Sequence, residues 1–150
     1  MPDDTPRTTI DELLRKARSR LDRLTPEEAT SAQRTGALLI DTRSHHERSR
    51  CGVIPGSLHI PLSVLEWRLD LNADPAYHNP HIVDLEQQLV LVCGHGYSTS
   101  LAAARLQELG FSRATDLIGG FTAWKERELP VHPAPEIDDE LVPGMGSPDP

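Results

Sequence analysis

The sequence predicts an α/β fold built around a small parallel sheet, and three observations carry that prediction. The run Leu89-Val90-Leu91-Val92 is short, unbroken and apolar, as suits a strand covered on both faces in a parallel sheet. It is followed by a glycine-punctuated turn from Cys93 to Ser98. An Ala- and Leu-rich stretch from Leu101 to Leu109 then carries apolar residues at helical spacing. Upstream, a second apolar run, Ala37-Leu38-Leu39-Ile40, delivers Asp41-Thr42-Arg43 to a strand's carboxyl end, the edge at which open α/β sheets bind ligands.

Size and charge narrow the class. The chain has 150 residues, enough for one domain with its own core. Lys and Arg number 15 against 23 Asp and Glu, a formal charge of −8. That argues against a general nucleic-acid binder, which needs a basic surface. No stretch is long and apolar enough to span a bilayer, so no membrane partner is expected. Near the N-terminus Leu13-Leu14 sits among Arg15, Lys16, Arg18 and Arg20, which is no secretory core; a cytoplasmic protein is expected. Two cysteines, Cys51 and Cys93, are too few for a disulfide scaffold and too far apart in sequence for a CxxC pair or zinc ribbon.

In chain order, the first eight residues hold Pro2, Pro6 and two aspartates and read as a frayed terminus. Thr9 and Glu12 have capping-box spacing. Ile10, Leu13, Leu14, Ala17, Leu21 and Leu24 share one face of the helix they open. The bases Arg15, Lys16, Arg18, Arg20 and Arg23 are taken as a solvated face; an anion or partner surface is the other reading. Thr25-Pro26-Glu27-Glu28 opens a second helix that runs to about Arg34 and ends at Gly36. After the Ala37–Ile40 strand, Ser44 and Glu47 cap a short helix through Arg50. His45 and His46 are adjacent, point apart and are expected on the surface.

Gly52 to Ser57 is a turn before the small strand Leu58-His59-Ile60. Ser63 and Glu66 suggest another capped helix, with Leu65, Leu69 and Trp67 facing inward. Residues Asn72 to Asp84 form a polar connection. His78 and His81 there are either a metal pair or plain loop residues, and the lack of a cysteine or carboxylate pattern favours the loop. No metal site is expected. Gly110 ends the helix after Cys93, and a strand lies within Phe111 to Ile118. A turn at Gly119-Gly120-Phe121 leads to a last helix, Thr122 to Glu128, anchored by Phe121 and Trp124. The acidic tail from His132 to Pro150 is rich in Pro and Gly and is expected to be disordered.

Cys93 is the residue around which these elements are arranged. As a small hydrophobe it would be unremarkable in a core. Gly94 and Gly96, however, permit a loop that wraps its amides around something. The first amides of the following helix lack partners inside it and carry partial positive charge. A thiol there loses its proton more readily, and the thiolate is the nucleophile.

These motifs together resemble the rhodanese-like domain family. Asp41-Thr42-Arg43 resembles that family's Asp-x-Arg after the first core strand. Gly52-Val53-Ile54-Pro55-Gly56-Ser57 resembles its Gly-His-Ile-Pro-Gly-Ala motif, with Val53 where histidine is usual. Leu117-Ile118-Gly119-Gly120-Phe121-Thr122-Ala123-Trp124 is similar to its closing signature, and Leu129-Pro130-Val131 to its usual ending. The resemblance covers roughly Thr25 to Val131. It divides the chain into an N-terminal extension with a helix (1–24), a rhodanese-like domain (25–131) and a tail (132–150).

The resemblance implies a small parallel sheet with helices on both faces, no cofactor, and sulfur transfer. The loop cysteine takes the outer sulfur of a donor such as thiosulfate or mercaptopyruvate, becomes a persulfide, and passes the sulfur to a thiol or cyanide acceptor. Cys93 is then the catalytic residue. Gly94, His95, Gly96, Tyr97, Ser98 and Thr99 form the substrate-binding loop, and Arg43 stands beside it as either a ligand or a structural brace. Typical active loops in the family carry two arginines. Here Gly94 and Ser98 stand in those places, so weak use of the dianion thiosulfate is expected. His95 adds positive charge only when protonated, and Arg43 contributes from the neighbouring strand end if it is a ligand and not a brace.

The loop is also similar to the Cys-Gly-Ser/Thr-Gly-Val-Thr of mercaptopyruvate sulfurtransferases. Tyr97 is either a pocket wall or a ring packed on the next helix. Cys51 is either a resolving thiol or a spectator. The alternative to an enzyme is a weak or inactive rhodanese-like module that binds an anion or peptide through this loop. A phosphatase would need a loop arginine, which is missing.

Overall fold

The structure is a computed structural model and describes residues 6–136. Its elements are α1 (Ile10–Arg18), α2 (Pro26–Arg34), β1 (Leu38–Asp41), α3 (His45–Cys51), β2 (Leu58–His59), a 3-10 turn (Leu62–Val64), α4 (Leu65–Leu69), β3 (Leu89–Val92), α5 (Ser98–Glu108), β4 (Ala114–Asp116) and α6 (Gly120–Glu126). The strands form one parallel sheet in the order β2-β1-β3-β4. In β1 and β3 the two-residue period sends side chains to two cores. Ile40, Leu89 and Leu91 meet Leu65 and Leu69 of α4 and Ala102, Ala103 and Leu106 of α5. Leu39, Val90 and Val92 meet Ala29 of α2 and Phe121 and Trp124 of α6. Both sheet faces are therefore covered, as the apolar run in β3 predicts.

Three helix starts follow their sequence signals. The Thr9 hydroxyl accepts from the Glu12 amide at 3.2 Å. Thr25 and Glu28 form the reciprocal capping box with Pro26 at the first position. Ser44 accepts from the Glu47 amide at 3.1 Å.

Other expectations are corrected. The first helix stops at Arg18 instead of running to Leu24, and Ile10 and Leu13 are exposed. Beyond the helix Leu21 enters the core, and Leu24 extends to pair with Leu117 at the sheet edge. Its amide donates to the Asp116 carbonyl at 3.1 Å, and its carbonyl accepts from Ile118 at 2.8 Å.

Ser63 caps nothing, because Pro61 starts a 3-10 turn that contains it. Trp67 is 61% exposed. In so short a helix Leu65 and Leu69, four apart, take the core face, which leaves residue 67 on the opposite side. The last helix begins at Gly120, not Thr122. His132, placed in the tail by sequence, pairs antiparallel with Val53, each amide donating to the other's carbonyl at 2.8 Å. The tail from 137 onward lies outside the described residues.

Candidate active site

β3 ends at Val92, so Cys93 emerges at the carboxyl edge of the sheet, and α5 begins five residues later at Ser98. The loop between them folds back on the sulfur. The Gly96 amide donates to Cys93 Sγ at 3.1 Å, and Thr99 Oγ1 lies 3.2 Å from it. Cys93 is 8% exposed and forms part of the floor of an open cleft of about 530 Å³, which Glu47, His95, Tyr97 and Ser98 also line. Burial pushes the thiol up. Hydrogen bonds from the Thr99 and Ser98 hydroxyls and from the Thr99 and Gly96 amides outweigh it and hold the thiol below its ordinary value.

The loop is gripped from behind by the start of α6. The Phe121 amide donates to the Cys93 carbonyl at 2.8 Å, and the Thr122 amide to the Gly94 carbonyl at 3.1 Å. This packing explains two glycines. Gly96 has φ +82°, and a Cβ on it would meet the Gly119 amide nitrogen at 2.8 Å. A Cβ on Gly120 would meet the Cys93 carbonyl oxygen at 2.5 Å.

Arg43 lines the cleft, but its guanidinium is held by the protein. It donates to Asp41 at 3.0 and 2.8 Å and to the Gly52 carbonyl at 2.8 Å. It also lies 3.8 Å from the centroid of the Phe121 ring. The sequence left open a ligand or a brace, and this geometry is that of a brace joining β1, the turn after α3, and α6. Arg48 approaches the same Asp41 at 3.2 Å. Glu47 faces Gly94, its Oε2 being 3.5 Å from where a Cβ would stand.

Tyr97 is 62% exposed, lines the cleft, and lies 5.4 Å from the Arg18 guanidinium, so it is not packed inward. His95 is exposed, 3.3 Å from Thr122 Oγ1. Cys51 is an exposed free thiol opening onto a different cleft with Val131 and His132. The ring nitrogens of His78 face the carbonyls of Asp70 and Ile82 at 3.0 and 2.7 Å. Among the described residues no group of three or more His, Cys, Asp or Glu could hold a metal ion.

Sequence reasoning missed Asp116, Ser100, Arg18 and Arg23. Asp116 is fully buried and accepts from Thr99 Oγ1 at 3.0 Å, Ser100 Oγ at 2.8 Å and Arg23 at 2.8 Å. A carboxylate at the end of a strand was the available signal, the position Asp41 also takes in β1, although β4 lacks the apolar run that precedes Asp41. The two arginines, taken as a solvated face, instead both donate to the Gly96 carbonyl. Nothing in the periodicity marks that contact.

The match to known proteins agrees with this arrangement. The rhodanese-like domain model matches residues 25–127. The chain belongs to the rhodanese-like family. Within that family it is 35% identical over 103 residues to the thiosulfate sulfurtransferase GlpE of Stutzerimonas stutzeri, covering 69% of this chain and 84% of that protein. It is 35% identical over 113 residues to GlpE of Pseudomonas paraeruginosa, covering 75% and 87%. The human single-domain sulfurtransferase TSTD1 superposes with a TM-score of 0.59 at 31% identity over 70% of this chain and 96% of that one. A Rhodopseudomonas palustris protein, described as of unknown function and a possible tyrosine phosphatase, superposes at 0.76 and 30% identity over 88% and 99%. The parallel sheet with helices on both faces is thus the rhodanese-like fold that the motifs imply. No helix among the described residues is long and apolar enough to cross a membrane.

Proposed function

We propose that this protein is a sulfurtransferase that carries sulfane sulfur on Cys93. The observation that supports this best is the low-lying thiol at the cleft floor, with the Gly96 amide and the Thr99 hydroxyl on its sulfur. In the first half-reaction the Cys93 thiolate attacks the outer sulfur of the donor. The donor's bond to that sulfur breaks, and its remainder leaves with the electron pair: sulfite from thiosulfate, the enolate of pyruvate from mercaptopyruvate. Cys93 becomes a persulfide. In the second, an acceptor thiolate or cyanide attacks the terminal sulfur and the Cys93 thiolate departs. The loop amides stabilise anionic sulfur at both stages.

Donor charge follows from the cleft. Arg43 is tied to Asp41, and Glu47 faces the loop. No arginine stands in residues 94–99. Thiosulfate is therefore a poor donor here, and one with less concentrated charge, of the mercaptopyruvate type, is used better. The same absence disfavours phosphoryl chemistry, whose equatorial oxygens need such a clamp. Gly94, His95, Tyr97 and Ser98, which line the cleft, contact the donor; the buried Gly96 and Thr99 act on the Cys93 sulfur from behind, and Arg43 holds the floor beneath them.

Intact mass after incubation with thiosulfate or mercaptopyruvate tests the reading. A gain of one sulfur atom, absent in Cys93→Ser, is expected. No gain from any donor by the folded protein would show a binding module instead.

A further inference from the structure

The segment before residue 25 lies outside the family match, yet it reaches the back of the nucleophile loop. Arg18 Nη2 and Arg23 Nη2 both donate to the Gly96 carbonyl, at 2.8 and 3.0 Å. Arg18 Nε donates to Ser100 Oγ at 3.1 Å, and Ser100 Oγ in turn donates to Asp116 Oδ2 at 2.8 Å. Arg23 spans the same carboxylate, with Nε 2.8 Å from Oδ1 and Nη2 3.3 Å from Oδ2. Asp116 Oδ2 also accepts from the Thr99 hydroxyl at 3.0 Å, and that oxygen touches Cys93 Sγ.

We propose that Arg18 and Arg23 are positioning residues of the sulfur-transfer site, contributed by the N-terminal segment to a loop that carries no arginine of its own. The proposal rests on Cys93 being the nucleophile.

The physical link is the single proton of Thr99. While Cys93 is a thiol, its S–H donates to Thr99 Oγ1, and the Thr99 hydroxyl donates to Asp116. When the thiol proton leaves to water in the cleft, the hydroxyl must turn and donate to the thiolate. Asp116 is fully buried and gives up one donor in that event. It tolerates the loss because Ser100 and Arg23 remain, and a buried carboxylate without them would hold the Thr99 proton more tightly. Arg23 is itself mostly buried, its side chain 16% exposed, so solvent screens the pair little. Two charge-assisted bonds to one carbonyl also hold Gly96 in its positive-φ conformation, the residue whose amide sits on the sulfur. Among the described residues, the other titratable or charged groups around the sulfur are Glu47, His95, Tyr97 and Arg43 in the cleft, with Asp41 beneath Arg43 and Arg48 on Asp41. None of them is altered in the test.

The experiment uses the full chain carrying Cys51→Ser, so that iodoacetamide reports on Cys93 alone. Alkylation rate against pH is measured for Arg18→Gln, Arg23→Gln and Arg23→Lys, with urea unfolding alongside. The midpoint is expected to rise by about one pH unit in Arg23→Gln and by less in Arg18→Gln. Arg23→Lys recovers part of the shift, since an ammonium can reach Asp116 but cannot fork to Gly96. A merely structural strap would lower stability and leave the midpoint in place. Midpoints unmoved in the folded variants overturn the proposal; should Arg23→Gln fail to fold, Arg18→Gln and Arg23→Lys decide it. Sulfur uptake by the unmodified loop, read by mass, reports separately on sulfur transfer.

Discussion

Gly120 and Cys93 touch backbone to backbone: a Cβ on Gly120 would stand 2.5 Å from the Cys93 carbonyl oxygen and 2.8 Å from Gly94 C and Gly96 N. Gly120 also has φ +61°. Gly120→Ala must therefore push the Cys93 loop away as well as strain its own backbone, which alone costs about 1–3 kcal/mol. Urea unfolding should show a loss of at least that size, and persulfide formation should fall further than stability explains. Gly36→Ala is the control. Its φ is +105° with nothing within 4 Å, so it should lose stability through strain while its folded fraction takes up sulfur normally.

The Cys93 thiol is held below its ordinary value by its donors, against the opposing effect of burial. Its alkylation midpoint in the folded protein should thus lie below that of the urea-unfolded chain. The linked stability has a definite sign. A group whose folded value is depressed contributes stability that is full above the unfolded value and is lost as pH falls through the folded one. The unfolding free energy of the natural chain relative to Cys93→Ala should accordingly grow as pH rises between the two midpoints. A difference that shrinks over that window contradicts the hydrogen-bond account.

Ser98 lines the cleft at the first position of α5, where the family's typical loop has arginine. Ser98→Arg should raise kcat/KM for thiosulfate about tenfold, equivalent to ~1.4 kcal/mol, mainly through KM. Mercaptopyruvate, with its less concentrated charge, should gain less. Unchanged thiosulfate kinetics in a folded variant would mean that missing charge is not what limits this donor.

Trp124 and Trp67 make opposite predictions from one residue type. Trp124 is 2% exposed, and its indole N–H donates to the Pro130 carbonyl at 2.9 Å. Trp124→Phe removes that bond and part of a packed ring, a loss of about 1–3 kcal/mol in unfolding free energy. Trp67→Phe on the exposed side of α4 should stay within about 0.5 kcal/mol of the natural chain. Emission should agree: Trp67 quenched by dissolved iodide, Trp124 protected.

Local chemistry was readable where a residue's role depends on its sequence neighbours. Thr25, Pro26 and Glu28 mark a helix start because all three act within one turn. The apolar run in β3 marks a doubly covered strand. Cys93 followed by Gly94 and Gly96 marks a loop that folds its amides back on the sulfur. Ser63 misled because Pro61 sets a 3-10 turn whose preference outweighs a cap. Trp67 misled because its size suggests burial, whereas in α4 the spacing of Leu65 and Leu69 decides which face is inside.

The sequence by itself determined the order of strands and helices, the family and the position of Cys93, because periodicity, caps and turn residues act over a few positions. Only the tertiary structure decided that Arg43 braces Asp41 and that Arg18 and Arg23 close on Gly96 and Asp116. Those partners lie far apart along the chain except for Asp41 and Arg43. Even there, neighbourhood alone does not say whether a guanidinium turns to its own strand or to the cleft. Long side chains find partners only after the backbone has packed, and no local pattern records that choice.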